Sequence, residues 1–237
     1  MADSAEGGLV EEAQRRLPCP AGARVWHRSS NPALQGIRRA LYVLRLAYVL
    51  CGIFFITVIL YPWLAASSLL NYRHGQRLVP NIYHRIMRRL LGLNISVKGS
   101  PSLQRPLCLV ANHTSWLDII VITSSLPVVF VAKQEVASWP FFGWLAQLQR
   151  SIFVNREKRH QVRQAIDRIA DALISGEVIC IFPEGTSTDG TDVVPFRSAL
   201  IGAVHETLRR AEDLPAISIQ PVSVTYVGPK RRLAVWA

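Results

Sequence analysis

Several signatures that would fix a function at once are missing from this sequence. It contains no GxSxG, no HExxH and no GxxxxGK[ST]. It therefore lacks the nucleophile elbow of a serine hydrolase, the zinc helix of a metallopeptidase and the phosphate loop of a nucleotidase. Cysteine is sparse, with Cys19, Cys51, Cys108 and Cys180 forming no CxxC and no metal-ligand spacing. A disulfide framework or structural zinc site is not expected, and Cys108 and Cys180 read as buried free thiols in a reducing compartment. Acidic residues number 16 against 27 Lys and Arg, a net charge of +11. That balance favours an anionic partner. No basic block interleaved with aromatics appears, so nucleic acid is not the expected partner and a lipid surface is.

The longest absence is of charge. None of the 25 residues from Leu46 to Leu70 is Asp, Glu, Lys, Arg or His. As a helix they would extend about 37 Å, enough to cross a hydrocarbon core of about 30 Å. The run begins too far from the N-terminus for a signal peptide. Pro62 predicts a kink, giving a bent span or two shorter pieces in one leaflet. Arginines flank both ends (Arg38, Arg39, Arg45; Arg73, Arg77) and leave the orientation open.

Residues 1–35 mix Gly, Pro and charge without periodicity and read as a flexible tail. Residues 36–72 read as the membrane-anchoring segment and 73–237 as the catalytic domain. Within the latter, Ile82, Ile86, Met87 and Leu90 share a helical face opposite Arg85, Arg88 and Arg89. Such a helix lies in a membrane interface or packs its apolar face on the domain. Beyond Ser96 the runs 107–110, 128–132, 151–154, 178–182 and 217–226 read as strands. Segments 115–125, 138–148, 160–175 and 198–211 read as helices. The alternation predicts an α/β domain with a largely parallel or mixed sheet flanked by helices, preceded by an N-terminal membrane helix or helical hairpin. The aromatic stretch Trp139–Trp144 reads as bilayer-facing, as lining for an acyl chain, or as core.

Three constellations carry chemistry. Asn112-His113-Thr114-Ser115-Trp116-Leu117-Asp118 follows a predicted strand. In an unbroken helix, positions five apart diverge by about 140°, so His113 and Asp118 would not meet. With His113 on the strand-to-helix turn, Asp118 in the first helical turn reaches back to the imidazole. A carboxylate there fixes the tautomer and supports the imidazolium of a general base. The competing reading is S-x-x-D helix capping by Ser115 and Asp118. Phe182-Pro183-Glu184-Gly185-Thr186 follows another strand and reads as an anion-approaching loop or a plain turn. Ser151–Arg156 puts Arg156 at a strand end, suited to a phosphate or left solvated.

In order and spacing these blocks resemble the 1-acylglycerol-3-phosphate acyltransferase family, the lysophospholipid acyltransferases. The signature comprises NHxxxxD (Asn112–Asp118), an arginine block (Ser151–Arg156), FPEGT (Phe182–Thr186) and a hydrophobic strand with Pro221 (Ile217–Val222). The resemblance covers roughly residues 80–227. It implies direct O-acyl transfer from acyl-CoA or acyl carrier protein to a lysophospholipid hydroxyl at a membrane, without metal, cofactor or covalent acyl-enzyme. His113 and Asp118 would be catalytic, and Arg156, Glu184, Gly185 and Thr186 would bind substrate. The leading product is phosphatidic acid from lysophosphatidate. Thr186–Gly190 followed by Pro195–Ser198 also resembles bacterial relatives that acylate lyso-ornithine lipid, the first alternative. A catalytically idle lipid-binding protein is the alternative of another class. In a bacterium the catalytic domain would face the cytoplasm at the inner membrane. Asn155 stands where members often carry Asp, and the chain stops inside an apparent strand, so the domain reads as cut short at its C-terminus.

Overall fold

The computed structural model describes residues 32–155, 158–188, 194–196, 198–211 and 216–227. The chain divides into two units, Met1–Ala47 and Tyr48–Ala237. The boundary falls within helix α1 (Pro32–Leu69). In the first unit, the described residues are helical and almost all exposed. α1 is one helix, not two shorter pieces, and continues through Pro62 although that residue donates no backbone hydrogen bond. From Ala33 to Leu69 it is long and apolar enough to cross a membrane. Large apolar side chains along it, including Phe54, Phe55, Ile59 and Trp63, are exposed.

In the second unit, Asn71 takes the left-handed conformation (φ 55°) and reverses the chain. Helix α2 (Arg73–Leu91) then runs back along the later part of α1. Gly75 lies against Ser67, Tyr83 Oη is 3.3 Å from Thr57 Oγ1, and Gly52 lies beside Leu90. A Cβ at Gly75 would stand 2.9 Å from both Ser67 Cβ and Tyr72 Cδ1, so a larger residue here would push these neighbours aside. Of the face expected to be apolar, only Met87 is buried, while Ile82, Ile86 and Leu90 are half-buried; the buried face of this basic helix is rotated from it. Val79, Tyr83 and Met87 are buried, and Tyr83 and Met87 join a cluster with Ile120, Ile53 and Ile56.

The sheet has five strands in the order β3-β2-β4-β1-β5. They are β1 (Leu107–Ala111), β2 (Val129–Lys133), β3 (Ile152–Val154), β4 (Val178–Ile181) and β5 (Ser218–Val222), and every pairing is parallel. Helices α3 (Leu117–Ser125), α4 (Phe142–Leu148), α5 (Arg159–Ile174) and α6 (Ser198–Arg210) lie between them in sequence. Strand alternation sorts the core into two layers. Cys108, Ile179 and Ile181 face α5 and α6, with Ile169 and Leu173 fully buried against them. Leu107, Leu109, Cys180 and Phe182 face the α3 side with Ile122 and Phe130. A parallel sheet covered on both faces calls for such continuous apolar strands. Pro221 lies in β5, whose outer edge is unpaired among the described residues, where a missing N–H costs nothing.

α2 also secures the end of α3. Asn81 Nδ2 donates to Thr123 O at 2.5 Å and Arg85 Nε to Ser124 O at 3.1 Å. Two of the carbonyls that a helix C-terminus leaves orphaned are thereby satisfied, one by a cation where the helix dipole favours it. α3 is held at its far end, and its first turn is left to build the site.

Candidate active site

Three chain segments converge where the parallel strands end, the usual place for ligands in α/β sheets. β1 delivers Asn112 and His113, β4 delivers Phe182–Thr188, and β5 delivers Val224 and Tyr226. His113 sits on the turn before α3 and Asp118 in its first helical turn, and Nδ1 lies 2.9 Å from Asp118 Oδ2. The same Oδ2 accepts the backbone N–H of Thr114 at 2.8 Å and of Ser115 at 2.9 Å. Ser115 Oγ in turn accepts Leu117 N–H at 3.2 Å. The capping and histidine-pairing readings are therefore both met by one carboxylate. The turn donates two N–H groups to Asp118, and Asp118 then holds the imidazole.

Asp118 is fully buried, whereas the His113 side chain is 18% exposed. With Nδ1 donating to the carboxylate, Nε2 is left as the acceptor, and it has no hydrogen-bond partner among the described residues. The ring stacks on Phe182, with centroids 4.2 Å apart and planes at 20°. Phe182 stacks in turn on Phe130 at 5.7 Å. The imidazole thus has its plane fixed by an aromatic pair and its tautomer by a carboxylate.

The loop after β4 is tied directly to this histidine. Thr188 N–H donates to His113 O at 2.9 Å, and Thr188 Oγ1 donates to Glu184 Oε2 at 3.3 Å. Glu184 is buried, and Gly185 adopts φ +72°, a conformation other residues avoid. Thr186 is exposed. The structure therefore ties the loop that carries Glu184 and Gly185 to His113 through Phe182 and Thr188 and gives Glu184 a loop-fixing bond. Arg156 lies outside the described residues.

Sequence reasoning missed two contributions from beyond β5. Asn112 Nδ2 donates to Val224 O at 3.0 Å while Val224 N–H donates to Asn112 Oδ1 at 2.7 Å. The amide captures both backbone groups of one residue and pulls the chain out of the strand ladder. Tyr226 is thereby placed with its hydroxyl donating to Asp118 Oδ1 at 2.5 Å. Burial, then the bond to Asp118, pushes the phenol well above its usual range, so it keeps its proton. The available signal was a tyrosine at the carboxyl end of an apolar run, where its polar tip needs a partner.

The aromatic stretch is not core. Trp139 (56% exposed), Phe141 and Phe142 face solvent, and Trp144 packs on Tyr61 of α1 with centroids 4.4 Å apart. The thiols of Cys108 and Cys180 are free and buried as expected, and burial pushes Cys108 up to about 12. Cys51 is free and exposed.

The family model for acyltransferases matches residues 94–225, more than half the chain and every residue of this site but Tyr226. The chain belongs to the acyltransferase family. Among relatives of this acyltransferase, a lyso-ornithine lipid O-acyltransferase of Brucella abortus is 43% identical over 158 residues, 66% of this chain and 59% of the relative. One of Rhizobium meliloti is 38% identical over 181 residues, 76% of this chain and 61% of the relative. A 1-acyl-sn-glycerol-3-phosphate acyltransferase of Neisseria gonorrhoeae is 34% identical over 114 residues, 47% of this chain and 45% of the relative. The acyltransferase thus spans about three-fifths of the first two relatives' length. A crystal structure of a 1-acyl-sn-glycerophosphate acyltransferase from Thermotoga maritima superposes with a TM-score of 0.50 at 21% identity. It covers 77% of this chain and 83% of the solved one, a likeness of fold.

Proposed function

We propose that this acyltransferase moves a fatty acyl group from a thioester, acyl-CoA or acyl carrier protein, to the free hydroxyl of a lysolipid. The observation that carries the reading is the His113–Asp118 pair at 2.9 Å, which leaves Nε2 without a hydrogen-bond partner among the described residues. His113 Nε2 takes the acceptor's hydroxyl proton as that oxygen attacks the thioester carbonyl. The C–O bond forms, the tetrahedral adduct collapses with loss of the C–S bond, and the imidazolium returns its proton to the departing sulfur. Asp118 holds the ring and stabilises the transient imidazolium. No acyl-enzyme is formed, and no side chain but His113 changes protonation.

Glu184, Gly185 and Thr186 form the acceptor's edge of the site, with the buried Glu184 keeping the loop in place. Arg156 binds the acceptor's anionic group. The acceptor favoured by similarity is lyso-ornithine lipid, since relatives so named are 43% and 38% identical. Lysophosphatidate is the second reading, supported by the 34% identical relative named for that chemistry. Its phosphate also suits the chain's +11 charge. α1 anchors the enzyme in a bilayer, and in a bacterium the catalytic domain faces the cytoplasm, where both thioesters are present.

The test incubates the purified full chain in lipid vesicles with each lyso-acceptor and each donor, and identifies products by mass. Acylated ornithine lipid formed at least tenfold faster than phosphatidic acid supports the first acceptor, and the reverse ratio the second. Binding of lysolipids with no product from any pairing would favour an idle lipid-binding protein instead.

A further inference from the structure

We infer that Tyr226 is a positioning residue for the proposed transfer, acting through Asp118 to set the pH range in which His113 accepts a proton. The inference rests on the reading of His113 as general base, but its physical content is a coupling that is measurable without turnover. Asp118 receives four donors. Three of them, His113 Nδ1, Thr114 N and Ser115 N, converge on Oδ2. The other oxygen, Oδ1, is met among the described residues by the Tyr226 hydroxyl alone.

The origins of these donors differ in a way that matters. Thr114 and Ser115 belong to the turn that carries His113, so their bonds come with the local fold. Tyr226 arrives from 108 residues away and stays only because Asn112 clamps Val224 through two hydrogen bonds. A phenol donating to one oxygen stabilises the ionised carboxylate and draws electron density away from the other oxygen. Oδ2 then pulls less strongly on the imidazolium. Tyr226 keeps its proton throughout the working range and remains a donor.

The other groups near the dyad do not share this role. Cys180 on β4 is buried and its thiol is pushed up, so it stays neutral. Glu184, in the loop after β4, is held by Thr188, and Ser115 adds a neutral hydroxyl near the phenol.

Tyr226→Phe keeps the ring and deletes the donor. The acid limb of its kcat/KM profile should move to higher pH by at least about half a unit. Well above the acid limb kcat should stay within about threefold of wild type, because the ring is then free in both proteins, with both KM values within about twofold. Incorporating 3-fluorotyrosine at position 226 strengthens the donor without altering the fold, and the limb should move the opposite way. An activity-independent arm follows the His113 ring by NMR of histidine-labelled protein in detergent micelles, its signal identified by loss in His113→Ala. Its titration midpoint should rise in Tyr226→Phe and fall with fluorotyrosine. If Tyr226 merely packs, the midpoint and the acid limb stay within about 0.2 units of wild type in both variants, and the inference is overturned. If instead His113→Ala retains activity while the midpoints move as stated, the coupling stands and the general-base reading fails.

Discussion

Replacing Asp118 by Asn separates the carboxylate's two jobs because the geometry dictates how the amide must sit. Oδ2 faces three donors, so the amide oxygen has to occupy that position and the NH2 must point at Tyr226. The Tyr226 hydroxyl can rotate to accept from it. The helix cap, the tautomer of His113 and the ring's orientation all survive, and what disappears is the negative charge. Nδ1 and Oδ2 are 2.9 Å apart. The charge centres then lie about 4 Å apart, worth about 4 kcal/mol at an effective dielectric near 20. That attraction acts only once the imidazolium forms. With part of it retained by the neutral hydrogen bond, kcat should fall about 10²–10³-fold. The folded protein should lose no more than about 1–2 kcal/mol, the scale of a weakened cap. The assay is turnover with saturating acceptor and donor beside a chemical melt of the same sample. A kcat within about threefold of wild type in a fully folded variant would refute the reasoning. So would a loss of activity explained entirely by unfolding.

Two further outcomes follow from other parts of the molecule. His84 is buried against Pro80 O, and burial lowers it from 6.5 to about 4. Its neutral form is favoured on folding, so stability should be constant above about pH 6.5 and fall by about 3 kcal/mol as pH drops to about 4. Urea melts across that range should show this slope, and His84→Gln should flatten it. Arg156→Ala should raise the KM of a phosphate-bearing acceptor, cutting kcat/KM about thirtyfold or more, while the donor's KM stays within about twofold. Arg156→Lys should restore part of the loss, and a donor KM that rises instead would move Arg156 to the thioester carrier's phosphates.

Much of the sheet was readable because parallel strands buried on both faces are unmixed apolar runs, as at Leu107–Ala111 and Val178–Ile181. All five expected strands and four expected helices occur, four of the strands and three of the helices close to their expected limits. The segment 217–226 was read as one strand, yet the ladder ends at Val222. The cause is tertiary: Asn112, far away in sequence, takes both backbone groups of Val224 that a strand neighbour would have used. Nothing local to 223–226 announces that capture, which is why Tyr226 escaped notice. The helix expected from 138 begins at Phe142 instead. Gln134–Ser138 forms a 3₁₀ turn, and Phe141 at φ 64° breaks the path between the two. A Cβ on Gly143 would meet Ala137 O at 2.3 Å, so this tight turn depends on a glycine that periodicity does not register. The pairing of His113 with Asp118 was legible because only a strand-to-helix turn brings residues five apart together. That the same carboxylate also caps the helix could not be separated from the sequence alone.

The most direct measurement on the central claim is product formation by His113→Ala, followed by mass with the acceptor and donor that wild type uses. His113 carries the only imidazole nitrogen in the described site held by a carboxylate and open on its other side. On the proposed mechanism its removal leaves the acceptor hydroxyl without a base, and turnover should fall by at least about 10²–10⁴-fold while the melting curve and vesicle association remain those of wild type. Turnover within about threefold of wild type would contradict the account.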